Sequence, residues 1–389
     1  MRVLLAPTLA GDDVSGLTLS SGHLAGAWSD AAPHDLVDLC ALSDGGPGFA
    51  ALVAARADAG TGRPEVWAAP GVLVVGGRGG TAYVDGSVGL RSGQGTAGLG
   101  EQLVAALSAA PSRVVLGLPG PDQTVVVPDA GWGMLGALGV EGVSAADVTA
   151  ADLVGLADVL ARLGEVDLVG AAARDLPLLG LHGASAAAGE SGALTALEAQ
   201  QLERAVGQLA HAVWEAVTAE PAVPTRPTAA HQSLLGTTRT SSTTAGPARR
   251  VRDVTGLPGA GAGAGAGWLV ALAGGRLLPG AAVHADAVGL GARVAASDLV
   301  VTTIDHLDAA TFHGSGAEQA ATAAAAVGVP CVVVAGTSMM SRRESSAAGL
   351  SAVYVASEHP GRPADPSAAD LAGVLARVAR SWSPARRAR

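Results

Sequence analysis

The stretch HDLVDLCALSDGGPGFAALVAARADA, residues 34–59, contains the pattern that decides the fold. Apolar residues dominate its beginning, as in a short strand. The turn formers DGGPG follow at residues 44–48, and an alanine-rich run from residue 49 onward is typical of a helix. A strand, a glycine turn and a helix in this order indicate an α/β fold with a mainly parallel sheet.

The same alternation of strand and helix occurs at both ends of the chain. We predict strands at 2–7, 34–40, 298–303, 330–336 and 351–357, and helices at 14–28, 315–327 and 367–381. The matching rhythm predicts that residues 1–70 and 284–389 share one sheet. They would form a discontinuous Rossmann-like (flavodoxin-like) domain.

Residues 71–283 carry the pattern of a second α/β domain inserted into the first. The segments GVLVVGG and TAYVDGSVGL predict a hairpin with a glycine-rich turn. Further strands are predicted at 113–118 and 166–173, and helices at 94–109, 146–162 and 194–218. Residues 220–252 are rich in Pro, Thr and Ser, which predicts a flexible insert outside both cores. We expect a small-molecule ligand in the cleft between the two domains.

Composition excludes several classes of partner. The chain has 389 residues and a net charge of −10, so it repels nucleic acid and anionic membranes at long range. It has no unbroken run of about 18 apolar residues, and we expect a cytoplasmic protein without a membrane span. All 24 residues of the Lys and Arg class are arginines, so no lysine is available to hold phosphates. Cys40 and Cys331 stand in apolar surroundings and are predicted to be buried thiols rather than a disulfide.

Two turns that join an aspartate to glycines at predicted helix starts are the first candidates for chemistry. Asp44 precedes Gly45 and Gly46, and Asp129 precedes Gly131. Backbone N–H groups at a helix start attract phosphate, and the two carboxylates are ligands that Mg²⁺ prefers. The alternative is that each aspartate caps its helix and each glycine only permits a tight turn.

A glycine-rich run is the third candidate. The sequence GLPGAGAGAGAGWLV, residues 256–270, gives Gly-x-Gly-x-x-Ala from Gly259 and Gly261, with Gly263 between them and the alanine. This is a weak dinucleotide-binding pattern. The alternative is that the glycines allow unusually close packing of backbone on backbone.

A polar stretch after a late strand is the fourth candidate. VTTIDHLDAATFHGSG, residues 301–316, is predicted to be a loop that carries Asp305, His306, Asp308 and His313. Acids and imidazoles in one loop suit acid–base chemistry or metal binding. The alternative is a polar surface loop with a helix cap.

Taken in chain order, these motifs resemble those of the bacterial type I glycerate kinase family, which phosphorylates D-glycerate with ATP. The matching positions are Ala6-Pro7, Asp44-Gly45-Gly46-x-Gly48, Asp129-x-Gly131-x-Gly133-Met134, Leu257-Pro258 with Gly259–Gly265, and Asp308-x-x-Thr311-x-x-Gly314. The resemblance implies Mg²⁺ and ATP as cofactors. It also implies catalytic or metal-binding roles for the three aspartates, and phosphate binding by the glycines.

The sequence departs from the family where charged and polar groups are expected. The family's Asp-Ser-x-Lys after Ala-Pro is replaced by residues 8–11, Thr-Leu-Ala-Gly. Its Gly-Gly-Ser-Ala-Thr is replaced by residues 119–123, Pro-Gly-Pro-Asp-Gln, and its late lysine by Ser315. Phosphoryl transfer depends on neutralising charge, so these losses predict a large loss of rate.

Three functions are compatible with this sequence. A diverged kinase for glycerate or a similar hydroxy acid would take its replacement charge from Arg174, Arg91 and Arg78. A degenerate member of the family, with weak or no phosphotransfer, would keep the fold for binding a ligand or partner. A structural protein without a ligand is the third. The missing lysines favour the degenerate member.

Overall fold

The computed structural model describes residues 1–8, 14–57, 65–90, 95–124, 126–142, 149–219, 250–356 and 368–383. The strands are β1 Arg2–Pro7, β2 Leu36–Leu39, β3 Glu65–Ala69, β4 Val72–Val75, β5 Thr81–Asp85, β6 Arg113–Leu118, β7 Asp167–Ala172, β8 Arg276–Pro279, β9 Leu299–Leu307, β10 Cys331–Ser338 and β11 Ala352–Val355. The helices are α1 Val14–Ala31, α2 Phe49–Ala57, α3 Gly86–Gly89, α4 Ala97–Ser108, α5 Trp132–Ala137, α6 Leu156–Gly164, α7 Ala184–Glu190, α8 Ala196–Ala219, α9 Val251–Thr255, α10 Ala262–Gly265, α11 Gly267–Leu272, α12 Gly280–Ala287, α13 Leu290–Ala295, α14 Ala309–Phe312, α15 Gly316–Val327, α16 Arg342–Ala347 and α17 Ala368–Trp382.

The first sheet joins the two ends of the chain, as the sequence predicted. Its described strands are parallel and lie in the order β11-β10-β9-β1-β2. Renumbered within this half, that is the flavodoxin-like order. Strands β1, β9 and β10 are almost fully buried because helices cover both faces of the sheet, which explains their continuous apolar sequences. The predicted α/β class and flavodoxin-like arrangement are confirmed.

The second sheet is inserted between β2 and β9. Its described strands lie in the order β3-β4-β5-β6-β7-β8. The hairpin β4–β5 is antiparallel, as predicted, and β5 to β8 are parallel. Strand β3 also pairs antiparallel with β4, so the boundary predicted at residue 70 falls inside a hairpin.

Helix α2 follows a strand of the first sheet but packs on the second. Phe49, at its start, is fully buried in a cluster with Val115, Val169 and Ala171 from β6 and β7. The next turn of the helix packs against Leu73 of β4. Burying an apolar helix face is favourable, and α2 buries its apolar face against the second sheet.

Some predicted elements differ from the structure. The prediction of one helix over 146–162 is wrong: a 3-10 turn at Ala150–Asp152 and helix α6 are separated by Gly155 in the left-handed conformation. Most of the predicted insert, residues 220–249, lies outside the described residues, while helix α9 begins at Val251 within its last positions. Among the described helices, none has both the length and the apolar character needed to cross a membrane. Cys40 and Cys331 are buried and are not joined in a disulfide, as predicted.

Candidate functional site

The Asp44 turn is a point of close contact between the two halves of the molecule. It follows β2, at the carboxyl edge of the first sheet. Gly45 has a φ of +104°, and a Cβ there would lie 2.6 Å from the carbonyl oxygen of Ala171 at the end of β7. A Cβ on Gly280 would overlap the carbonyl oxygen of Asp44. Glycines are required on both sides of this contact because backbone lies directly against backbone.

Asp44 is the centre of a polar cluster contributed by both halves. Its Oδ2 accepts a hydrogen bond from Gln123 Nε2 at 2.8 Å and one from Arg174 Nη1 at 3.1 Å. The other nitrogen of the Arg174 fork, Nη2, lies 2.6 Å from Asp122 Oδ2. The structure therefore brings together two predicted site residues, Asp44 and Arg174, with two that were not predicted, Asp122 and Gln123.

The positive charge of Arg174 is already paired with negative charges of the protein in this cluster. One guanidinium is paired with two carboxylates, so the three side chains together carry one negative charge. Burial lowers the pKa of Arg174, but the charges of Asp122 and then Asp44 outweigh burial and raise it above its ordinary value. Arg174 stays protonated, and its charge is already neutralised within the protein.

The backbone donors of the Asp44 turn already have acceptors in the protein. Gly45 N–H donates to Ser43 Oγ at 3.1 Å, and Gly46 N–H donates to Asp44 Oδ1 at 3.0 Å. The N–H groups of Gly48 and Phe49 donate to the carboxylate of Asp85, which is buried at the end of β5. Burial raises the pKa of Asp85, and these hydrogen bonds oppose the rise. A side chain from the second half thus takes the place that a phosphate would need at the start of α2.

Asp129 is a helix cap in this structure. Its carboxylate accepts from the N–H groups of Gly131 and Gly133 at 2.9 and 3.1 Å, at the start of α5. It also accepts from the N–H and hydroxyl of Thr96, at 2.8 and 2.9 Å, and so joins the starts of α4 and α5. Because Gly131 N–H is engaged here, the predicted phosphate donor and the predicted metal ligand satisfy each other.

The glycine-rich run packs backbone against backbone at the carboxyl edge of the second sheet. Gly261 N–H donates to Leu176 O at 2.8 Å, and Gly263 N–H donates to Pro119 O at 2.9 Å. A Cβ on Gly259 would lie 2.7 Å from Ala172 Cβ. These contacts agree with the close-packing alternative, in which the glycines serve the core rather than a nucleotide.

Residues 301–316 are not one loop. Strand β9 continues to Leu307 and pairs His306 with Thr337 of β10. Asp308 then caps α14 by accepting from Thr311 N–H at 2.7 Å, and this hydrogen bond lowers the pKa of its carboxyl group. Gly314 N–H donates to Glu318 Oε2 at 2.7 Å. The cap alternative accounts for these contacts.

The remaining predicted cations do not join the Asp44 cluster. Arg78 is exposed in the β4–β5 turn. That turn leads into the amino end of β5, and Asp44 lies near the carboxyl ends of the parallel strands, so Arg78 is at the opposite edge of the second sheet. Arg91 lies outside the described residues.

The predicted magnesium ligands do not fit a shared metal site. Asp44, Asp129 and Asp308 have separate sets of hydrogen-bond partners. In the part of the chain that the structure describes, no three carboxylate, imidazole or thiol groups come close enough to hold one ion. Two of the three carboxylates are used by helix starts, and Mg²⁺ prefers carboxylates with free oxygens.

Asp85, Asp122, Gln123 and His284 are the polar residues of this region that sequence reasoning missed. Asp85 ends β5, and Asp122 and Gln123 follow β6. His284 lies in α12, and its Nδ1 accepts from Ser43 N–H at 3.3 Å. The usable signal was a polar residue at or shortly after the end of a buried strand, as in the VDG of residues 84–86 and the PGPDQ of residues 119–123. Carboxyl ends of parallel strands gather at one edge, so such residues meet there.

Comparison with known proteins identifies the family. The chain is 30% identical over 380 residues to the uncharacterized proteins Mb2228c of Mycobacterium bovis and MT2261 of Mycobacterium tuberculosis, covering 93% of this chain and 85% of each relative. Its fold is similar to the crystal structure of the "putative glycerate kinase 2" from Salmonella typhimurium LT2, with a TM-score of 0.62 and 21% identity over 98% of this chain and 97% of that one. The profile of the glycerate kinase family matches residues 19–383. Because that match spans nearly the whole chain, the protein belongs to the glycerate kinase family.

Proposed function

We propose that this family member transfers phosphate from Mg-ATP weakly or not at all, and that it keeps the fold to bind a small ligand or a partner at the contact between its halves. The observation that carries the proposal is the state of Arg174. It is the only one of the three predicted cations that joins the Asp44 cluster among the described residues, and two carboxylates already neutralise it. A triphosphate needs uncompensated positive charge, and this cluster supplies a net negative one.

The carboxylates and glycines support the same proposal. Asp129 and Asp308 cap helices, and the N–H groups of Gly46, Gly131 and Gly314 donate to side chains of the protein. Each of these groups would have to give up an internal hydrogen bond before it held Mg²⁺ or phosphate. The loss of an internal partner offsets what the new contact contributes.

A coupled assay with ATP, Mg²⁺ and D-glycerate tests the catalytic part. We expect turnover far below the 1–100 per second that is typical of kinases. Calorimetric titration with Mg-ATP tests binding, and we expect a Kd no tighter than about 1 mM. Titration of a small hydroxy acid without ATP then tests whether the site still takes a ligand.

The alternative, an active ATP-dependent kinase for D-glycerate or a similar hydroxy acid, makes the opposite predictions. Turnover in the ordinary range overturns our proposal. So does micromolar affinity for Mg-ATP that is lost in Asp44→Ala but kept in Asp298→Ala. Asp298 is a matched control because it also pairs with an arginine, Arg2, but lies at the amino edge of the first sheet.

A further inference from the structure

Arg174 presents both nitrogens of its fork to carboxylates of the protein itself. Nη2 lies 2.6 Å from Asp122 Oδ2, and Nη1 lies 3.1 Å from Asp44 Oδ2. This is the arrangement in which a guanidinium binds the two oxygens of a carboxylate or phosphate ligand. Here the two oxygens come from two different side chains.

The two carboxylates differ in how firmly they are held. The side chain of Asp44 is 9% exposed and also accepts from Gln123 and Gly46, so it is part of the buried contact between the halves. The side chain of Asp122 is 54% exposed, and Arg174 is its one ion-pair partner among the described residues. A ligand from solvent therefore reaches the Asp122 side of the guanidinium, whose own side chain is 45% exposed.

The turn at residues 120–123 holds Asp122 against Arg174. Gly120 N–H donates to Gln123 Oε1 at 2.9 Å, and Gln123 N–H donates back to Gly120 O at 3.1 Å. A Cβ on Gly120 would lie 2.5 Å from Asp122 Oδ1 and 2.8 Å from Arg174 Cγ, so a larger residue there would displace both side chains of the pair. A carboxylate tethered in this way competes with free anions at a high effective concentration.

We infer that Asp122 is an internal competitor for the guanidinium of Arg174, and that it is the residue that determines how poorly this site accepts small oxyanions such as carboxylate or phosphate. The inference rests on the proposed function in one respect, the assignment of the ligand site to the Asp44 cluster. Removing the charge of Asp122 leaves Arg174 paired with Asp44 alone, and the cluster changes from a net negative charge to a neutral one. The freed Nη2 then faces solvent as a donor for an anion.

The variant Asp122→Asn tests this by calorimetric titration with D-glycerate and, separately, with inorganic phosphate, both without ATP. We expect at least one of them to bind about five- to tenfold more tightly than to the natural protein, as for removal of one partly screened like charge. The matched control is Asp298→Asn, which removes the same charge from a pair of similar exposure at the amino edge of the first sheet, where Asp298 is 47% exposed. It should leave both affinities unchanged.

The double variant Asp122→Asn with Arg174→Gln should lose the gain, because the guanidinium is the group that binds the anion. Equal affinities in Asp122→Asn and Asp298→Asn, with thermal unfolding showing both folded, overturn the inference, and so does a gain that survives loss of Arg174. If Asp122→Asn does not fold, Asp122→Ser replaces it, with the same outcomes. The kinase assay fails or succeeds independently, because these titrations contain no nucleotide.

Discussion

His284 ties helix α12 to the turn carrying Asp44 by a hydrogen bond. It is fully buried, and its Nδ1 accepts the N–H of Ser43 at 3.3 Å. Its ring contacts that of Phe49 in a tilted arrangement, with 5.6 Å between the centroids and 59° between the planes. Its Nε2 has no hydrogen-bond partner among the described residues. An imidazole in this position is neutral, because a buried charge without a partner is costly.

Burial lowers the pKa of His284 from 6.5 to about 3. At pH values between these two pKa values, His284 is protonated in the unfolded chain and neutral in the folded chain. Stability therefore falls as the pH drops through this window, and this residue alone accounts for about 2 kcal/mol between pH 7 and pH 5.

The variant His284→Asn keeps an acceptor near the position of Nδ1 but does not titrate. We measure the free energy of unfolding of both proteins with denaturant at pH 7 and at pH 5. From pH 7 to pH 5 we expect the natural protein to lose about 2 kcal/mol more stability than the variant. Equal pH dependence of the two proteins contradicts the prediction.

At the scale of the element, the glycine-rich run of residues 259–267 packs closely against other backbone and departs from regular helical geometry. Gly263, Ala264 and Gly265 have φ values of +64°, +56° and +87°, so a continuous right-handed helix cannot pass through them. The regular helix α11 starts only at Gly267. A Cβ on Gly267 would overlap the carbonyl oxygen of Gly259 and lie 3.1 Å from that of Ala260.

Two glycine substitutions with opposite expected signs test this account. Gly267→Ala should lower the free energy of unfolding by about 2–3 kcal/mol, because backbone would have to move to make room for the methyl group. Gly207→Ala lies inside helix α8, where a Cβ meets nothing within 4 Å, and should raise it by about 0.5–1 kcal/mol. Chemical denaturation measures both. Equal effects would mean that glycine in the run serves something other than packing.

The elements that the sequence predicted are those with a clear burial pattern. Five strands are buried apolar runs, and their predicted ends lie within a few residues of the observed ends: β1, β6, β7, β9 and β10. Strands β9 and β10 extend further in the structure than the sequence predicted. Strands β3 and β8 were missed because they are short edge strands. Val66 and Trp67 of β3 are 58% and 51% exposed, and Leu278 of β8 is 37% exposed, so they lack that pattern.

The candidate site was predictable only where one local segment carries the signal. Asp44 and its glycines stand out in a single turn, but Asp122 and Arg174 are 52 positions apart and meet only because β6 and β7 are neighbours. For Asp129 and Asp308, a helix cap and a metal ligand have the same local sequence, so the hydrogen bonds of the folded chain were needed to separate them.

At the scale of the whole molecule, helix α2 links the two sheets, because it follows β2 of the first sheet and packs on the second. Phe49 enters from the first half and is fully buried among residues of β6 and β7. His284 and Gly280 add further contacts from α12 to the Asp44 turn. Because this junction buries Phe49 and the hydrogen-bonded Asp44 turn, we expect the halves to unfold together in one transition.

Phe49→Ala tests that coupling. It should lower stability by about 3–5 kcal/mol and also weaken the junction, so that calorimetry shows two overlapping transitions, with a van't Hoff enthalpy below the calorimetric enthalpy. Phe312→Ala is the matched control: Phe312 is 7% exposed and belongs to a core cluster of the first sheet and its helices. That variant should lower the melting temperature while the transition stays single, because it removes packing within one half and leaves the contact of Phe49 with β6 and β7 intact. If Phe49→Ala unfolds in one sharp transition like Phe312→Ala, the junction depends on other contacts, with the Asp44–Arg174 pair and the backbone contact at Gly280 as the next to be tested.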